Sequence, residues 1–177
     1  MEAGTRQRII EIARELFAAQ GYAGTSIADI TNRLGTSKAA VYYHFDNKAA
    51  ILSALVEEPL AAYAHLTETQ ASAEDLLAAV IDTTASYLDV IEAIGNDPSA
   101  RAVLSELAQK HRSDDINDAI LAALAGPSPS TKRRVRAHAA YMVAKHGAIG
   151  LTTDGNLGAR ERTELLAAAL RALDADH

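Results

Sequence analysis

The chain has 177 residues, among them 38 alanines, 19 leucines and only 4 prolines. Ala and Leu lead the helix propensity scale, so this composition predicts a nearly all-helical protein and argues against a β-sandwich or barrel; the absence of cysteine excludes disulfides, thiolate zinc sites and a cysteine nucleophile. The net charge of −6 taken alone speaks against nucleic acid as a partner, but residues 1–50 hold 6 Lys/Arg and 5 Asp/Glu while residues 51–177 hold 11 and 18. A near-neutral head on an acidic body still allows salt-sensitive DNA contact through the head.

A first helix is expected over residues 5–20, with Thr5 as N-cap, Ile9, Ala13, Leu16 and Phe17 as its apolar stripe, and Gly21 at the left-handed position that ends it. Arg6, Arg8, Glu11, Arg14 and Glu15 make it amphipathic, unlike a signal peptide. Ser26 and Asp29 form a capping box for a short second helix that Gly35 ends. Ser37 caps a third, in which Val41 and Phe45 point inward and Lys38, Ala39, Ala40, Tyr42, Tyr43 and His44 take the other faces. A fourth starts near Asp46 or Asn47 with Lys48 in its first turn, and Pro59 should bend or break it before the pattern resumes to about residue 67. Ser72 caps a long helix to about residue 94, ended by Gly95-Asn96, and Asp97 with Pro98 at the first helical position opens the next. Ser113 starts another that ends at Gly126. Residues 126–131 are the clearest loop, and helices follow over about 132–151 and 159–173, separated by a loop at 155–158. No segment approaches 18 uninterrupted apolar residues, so no membrane span is expected and the protein is read as soluble and cytoplasmic.

The second and third helices meet through a turn at Gly35 behind an amphipathic helix, which is the helix-turn-helix arrangement. Its second helix can enter a major groove, held by Val41 and Phe45 and presenting Lys38, Tyr42 and His44. Here the string from Gly21-Tyr22 through Thr25-Ser26 to Asp29-Ile30 resembles a signature of the tetracycline repressor (TetR) family. Leu34 to Phe45, including Ser37-Lys38 and Val41-Tyr42-Tyr43-His44-Phe45, resembles its recognition helix, and Lys48 matches the lysine that follows. The likeness covers about residues 5–56. It implies a homodimer on a near-palindromic double-stranded operator, usually a repressor released by a small-molecule effector. By position, Lys38, Ala39 and Ala40 would face bases, Tyr42, His44 and Lys48 would hold phosphates or groove edges, and Thr25 and Thr36 would touch the backbone. The family often has Gly-Thr or Pro-Thr where this chain has Ala39-Ala40. Alanine can touch a thymine methyl but cannot hydrogen-bond, so sparse base readout supported by DNA shape is expected.

Beyond residue 56 the helices carry scattered polar groups, of which Tyr87, His111 and Tyr141 are the candidates for lining a ligand cavity between helices. Each alone reads more simply as a satisfied core or interface residue. The run Lys132, Arg133, Arg134 and Arg136 reads as a solvated helix start rather than a second anion site. His138 and His146 lack a third ligand, so no metal and no cofactor are expected. Two apolar stripes run along the helix at 132–151. One is Val135, Ala139, Met142 and Ile149; the other is Ala137, Tyr141, Ala144, Ala148 and Leu151. Two such faces imply one toward the core and one toward a partner. Met142, Ile149, Leu166, Leu170 and Leu173 are the expected dimer interface.

The reading is therefore an all-α chain: a three-helix DNA-binding domain over 1–46 followed by a ligand-binding and dimerisation bundle over 47–177. Two alternatives stand beside it. One is a DNA-binding dimer without a small-molecule ligand. The other is a helical enzyme, for which the sequence offers no nucleophile–base pair, metal spacing or phosphate loop.

Overall fold

The computed structural model describes residues 2–68, 72–90, 97–111, 113–153 and 156–174; for residues 2, 3, 108–111, 113 and 114 it describes the backbone alone. The described residues hold helices and no strand. They are α1 (Glu2–Gly24), α2 (Ile27–Leu34), α3 (Lys38–His44), α4 (Lys48–His65), α5 (Ala73–Ser86), α6 (Pro98–His111), α7 (Ser113–Ala125), α8 (Thr131–Leu151) and α9 (Ala159–Asp174). No helix among the described residues is long and apolar enough to cross a membrane.

Most boundaries follow the capping chemistry. The Ser26 and Ser72 hydroxyls accept from the backbone N–H groups of Asp29 and Asp75, whose carboxylates return to the cap residues. Three boundaries differ from expectation. First, α1 begins at Glu2, so Thr5 lies inside it, and the helical path yields at Gly21 (φ 78°, ψ 161°). Second, α4 runs through Pro59 without interruption. The proline leaves the Leu55 carbonyl without its helical donor, and the Pro59 side chain is buried. Third, the helix expected over 72–94 stops at Ser86. Tyr87 sits at φ −115°, ψ 17°, and residues 88–90 are helical again. The hydroxyls of Thr84 and Ser86 bond back to the carbonyls of Val80 and Asp82, which competes with regular helix geometry at that point. The expected stop at Gly95-Asn96 lies outside the described residues.

Contacts divide the chain into two compact units. The first comprises Met1–Pro59 and Asp89–His111. Its core is built from Ile9, Ala13, Phe17, Ile30, Val41, Phe45, Ile51 and Leu52, joined by Val90 and Ala100. The unit thus reaches past residue 46, because Ile51, Leu52 and Leu55 of α4 fill the same core as α1–α3. Two carboxylates bind the later segment to α1. Asp89 takes both ends of the Arg14 guanidinium, one at 2.6 Å, and Asp97 accepts the Ala23 N–H. Burial pushes the Asp89 carboxyl up, but the Arg14 hydrogen bonds and charge outweigh it and hold it below the usual range.

The second unit comprises Leu60–Leu88 and Arg112–His177. Its core centres on an alanine face of α8, where Ala137, Ala140, Ala144 and Ala148 are buried with Tyr141. Against it lie Leu77, Val80 and Ile81 of α5 and Leu165, Ala169 and Leu173 of α9. Small residues on α8 let α9 approach closely: a Cβ built on Gly147 would stand 2.2 Å from Leu165 Cδ1. The α7 and α9 ends are tied by Arg133, which donates to the carbonyls of Leu124 (3.2 Å) and Leu173 (3.0 Å). That use is structural and answers what one member of the basic run does.

Candidate nucleic-acid interface

The helix-turn-helix is assembled from local signals. Gly35 adopts the left-handed conformation (φ 69°, ψ 38°) and ends α2. The Gly35 N–H bonds to the Asn32 carbonyl at 3.3 Å and the Thr36 N–H to that of Thr31 at 3.0 Å, a Schellman closure that turns the chain sharply. Two residues later the Ser37 hydroxyl accepts from the Ala40 N–H and opens α3. A seven-residue helix is far too short to persist alone in water. Burial of Val41 (0 % exposed) and Phe45 (5 %) holds it, at about 1.5–3 kcal/mol per side chain. The Arg6 guanidinium lies over the Phe45 ring at 5.0 Å.

With that face anchored, the other side of α3 points to solvent. Lys38, Ala39, Tyr42 and Tyr43 are exposed, Ala40 and His44 half-buried. Tyr43 is 73 % exposed, against 49 % for Tyr42, and its ring meets His44 edge-on at 5.1 Å. Sequence reasoning left Tyr43 out of the site; its place beside Tyr42, outside the Val41–Phe45 anchor, was the available signal. Together these groups give a short polar and aromatic surface with a methyl-bearing centre at Ala39-Ala40.

Two residues assigned to phosphate or backbone contact are engaged elsewhere. Thr25 is 2 % exposed; its hydroxyl donates to the Gly21 carbonyl (2.9 Å) and accepts from Gln20 Nε2 (3.2 Å). It is a corner residue, and its side chain has no face toward solvent. Lys48 directs its ammonium to the carbonyls of Tyr22 (2.6 Å) and Thr25 (2.7 Å). Thr36 is half-buried behind the turn.

Of the candidate ligand residues, the side chains of Tyr87 and Tyr141 are described. Tyr87 is half-buried at the end of α5, and the side chain of His111 lies outside those described. Tyr141 is buried, donates to Asn117 Oδ1 at 2.6 Å and accepts from Lys145 Nζ at 3.1 Å; burial pushes its phenol up to about 12. Nearby, Tyr63 and the fully buried Thr84 share a hydrogen bond, and Lys145 lies 5.1 Å from the Tyr63 ring centre. The candidate interface residues separate. Met142 is exposed, Ile149, Leu166 and Leu170 are half-buried, but Leu173 is 1 % exposed within the protomer's own core. Leu173 follows Leu165 and Ala169 at four-residue spacing and so shares their inward face. Leu151, assigned to the core-facing stripe of α8, is 45 % exposed instead.

Residues 9–55 match the family described as "Bacterial regulatory proteins, tetR family". Over that segment the chain is similar to the N-terminal domain of the family. Over 72 residues it is 38% identical to the probable HTH-type transcriptional regulator ArpR of Pseudomonas putida, covering 41% of this chain and 34% of that protein. Over 101 residues it is 33% identical to the HTH-type transcriptional repressor AcnR of Corynebacterium diphtheriae, covering 54% and 53%. The chain thus spans about a third to a half of the length of these curated relatives. Nearly the whole chain superposes on a transcriptional regulator from Aquifex aeolicus, with TM-score 0.75, 21% identity, and 97% and 98% of the two chains covered. A second structure, GusR of Salmonella enterica, gives TM-score 0.68 at 18% identity over 96% and 95%. At these identities the likeness shows the fold alone: an N-terminal helix-turn-helix followed by a helical body. None of these four is named as an enzyme.

Proposed function

We propose that the protein is a TetR-type transcriptional repressor that docks as a homodimer on a near-palindromic double-stranded DNA operator. The observation that carries this reading is α3. It is a capped helix too short to stand alone, anchored by Val41 and Phe45, with Lys38, Ala39, Tyr42 and Tyr43 turned outward. Such a helix suits a major groove about 12 Å wide. Lys38 supplies the base-edge donor, Ala39 and Ala40 supply methyl contact, and Tyr42, with His44 at the helix end, serves the phosphates. Residues 1–46 carry the DNA reading in this proposal, and residues 47–177 carry dimerisation and effector response, with the start of α4 and α6 packed into the reading unit.

Support for a second copy comes from α8. One stripe is buried in the protomer except at its end, Leu151; the other leaves Val135 63 % and Met142 39 % exposed, with Ala139 exposed beside them. An apolar stripe of this length on a helix already packed on its other side suits a self-complementary contact. A two-fold dimer would set its two α3 helices about 34 Å apart, one turn of DNA. A small ligand bound in the second unit would then favour a dimer with a different spacing and release the operator. A reading without such a ligand is favoured by one observation: Tyr141, expected at a cavity wall, is packed with its hydroxyl satisfied.

Selection of bound sequences from random duplex DNA, at two salt concentrations, tests the proposal. An inverted repeat with half-sites one turn apart is expected, with affinity falling as salt rises. Binding with no recoverable motif would recast the protein as a low-specificity binder, and no binding at all would overturn the reading.

A further inference from the structure

The helix-turn-helix spans the chain between Thr25 and Lys48, and one side chain joins its two ends. Lys48 opens α4, and its ammonium donates to the Tyr22 carbonyl at 2.6 Å and the Thr25 carbonyl at 2.7 Å, 26 and 23 residues back. The same ammonium lies 4.2 Å from the centre of the Tyr22 ring. The receiving corner is itself fixed. Tyr22 is 7 % exposed and packs edge-on against Phe17 at 5.2 Å, and Thr25 is 2 % exposed. Asp97 grips the other side of that corner through the Ala23 N–H. The Tyr22 carbonyl, which also accepts from the Thr25 N–H at 3.3 Å, the Thr25 carbonyl and an aromatic face together form a receptor for one cation.

We infer that Lys48 is a positioning residue that clasps the base of the helix-turn-helix and sets α3 relative to α1, instead of carrying its charge to a phosphate. Two of its three donors are committed to backbone carbonyls, and the ammonium stands 4.2 Å from the Tyr22 ring centre. This assignment rests on the DNA-binding reading for its consequence, but the clasp itself does not.

The test uses Lys48→Met, which keeps length and removes every donor. Relative to the unsubstituted protein, operator affinity should fall about tenfold or more, as expected for loss of hydrogen bonds from a charged group. The slope of log affinity against log salt should stay unchanged, and the DNA-free melting temperature should drop. A slope smaller by about one with unchanged melting temperature would show a phosphate contact and overturn the inference. A second measurement needs no variant: reductive methylation of the unsubstituted, DNA-free protein, read by mass spectrometry. Lys48 should react more slowly than the exposed Lys38, and equal rates would overturn the clasp. If the unsubstituted protein binds no duplex, the DNA reading fails, while melting and methylation still decide the role of Lys48.

Discussion

Gly147 and Gly150 lie one turn apart on α8, and replacing each by alanine should move stability in opposite directions. Both sit inside a helix, where glycine is about 1 kcal/mol less favourable than alanine. At Gly150 a Cβ meets nothing within 4 Å, so Gly150→Ala should realise that gain. At Gly147 the new methyl would stand 2.2 Å from Leu165 Cδ1 and 3.3 Å from Cγ. Leu165 is 6 % exposed within the core, so it has no solvent side to turn toward. Overpacking of this kind costs about 1–3 kcal/mol, which exceeds the propensity gain. The expected net effect is a loss of about 1 kcal/mol for Gly147→Ala and a gain of about 1 kcal/mol for Gly150→Ala. In a chain of this size that corresponds to shifts of about 2–4 °C in opposite senses. Thermal unfolding followed by circular dichroism at one fixed protein concentration reads both, since the proposed dimerisation would make the midpoint concentration-dependent. In a Leu165→Ala background the Gly147 penalty should disappear, a coupling of about 1–3 kcal/mol. If Gly147→Ala raises the midpoint as much as Gly150→Ala, the close α8–α9 approach does not limit packing there.

Asp97 should titrate near 2, below the ordinary 3.8, because the Ser99 hydroxyl and then the Ala23 N–H bond to its ionised form. A lowered folded-state pKa contributes stability that is present above 3.8 and is lost as pH falls toward 2. Acid unfolding between those values should therefore be less steep in Asp97→Asn, and a carboxyl NMR titration at the ordinary value would contradict the contacts. Met142→Glu on the exposed stripe should yield a folded monomer in sedimentation velocity, whereas Leu173→Glu, inside the core, should unfold the second unit. Two folded monomers would place Leu173 at the subunit contact after all. Lys38→Ala should change preference at one or two base positions by about 1–3 kcal/mol; a uniform loss across sequences would assign Lys38 to the phosphates.

Local chemistry was readable in the chain. Ser26, Ser37, Ser72, Gly35 and Asp97 each announce a helix end through hydrogen bonds that reach no more than a few residues, and the structure uses each of them there. The outward face of α3 followed from the same logic, because Val41 and Phe45 at four-residue spacing leave the opposite side to solvent. The competing hydroxyls of Thr84 and Ser86 were visible as residue types, but whether they would bond back to the helix depends on burial that a sequence does not show.

What escaped the sequence were the long-range partners. Nothing around Asp89 or Asp97 marks them as ligands for Arg14 and the Ala23 N–H, 75 and 74 residues away. Lys48 illustrates the same limit from the other side: its position matched a phosphate-binding pattern, and only the folded corner reveals carbonyls closer at hand. The α9 stripe was misjudged for a related reason. By spacing, Leu166, Leu170 and Leu173 form one stripe and Leu165, Ala169 and Ala172 another. The inward set is Leu165, Ala169 and Leu173, because α8 presents alanines and Gly147, and a helix seated that closely needs a small residue between two leucines. The buried face of α9 is therefore decided by the shape of its neighbour, with Leu166 and Leu170 partly buried at the flank of the core.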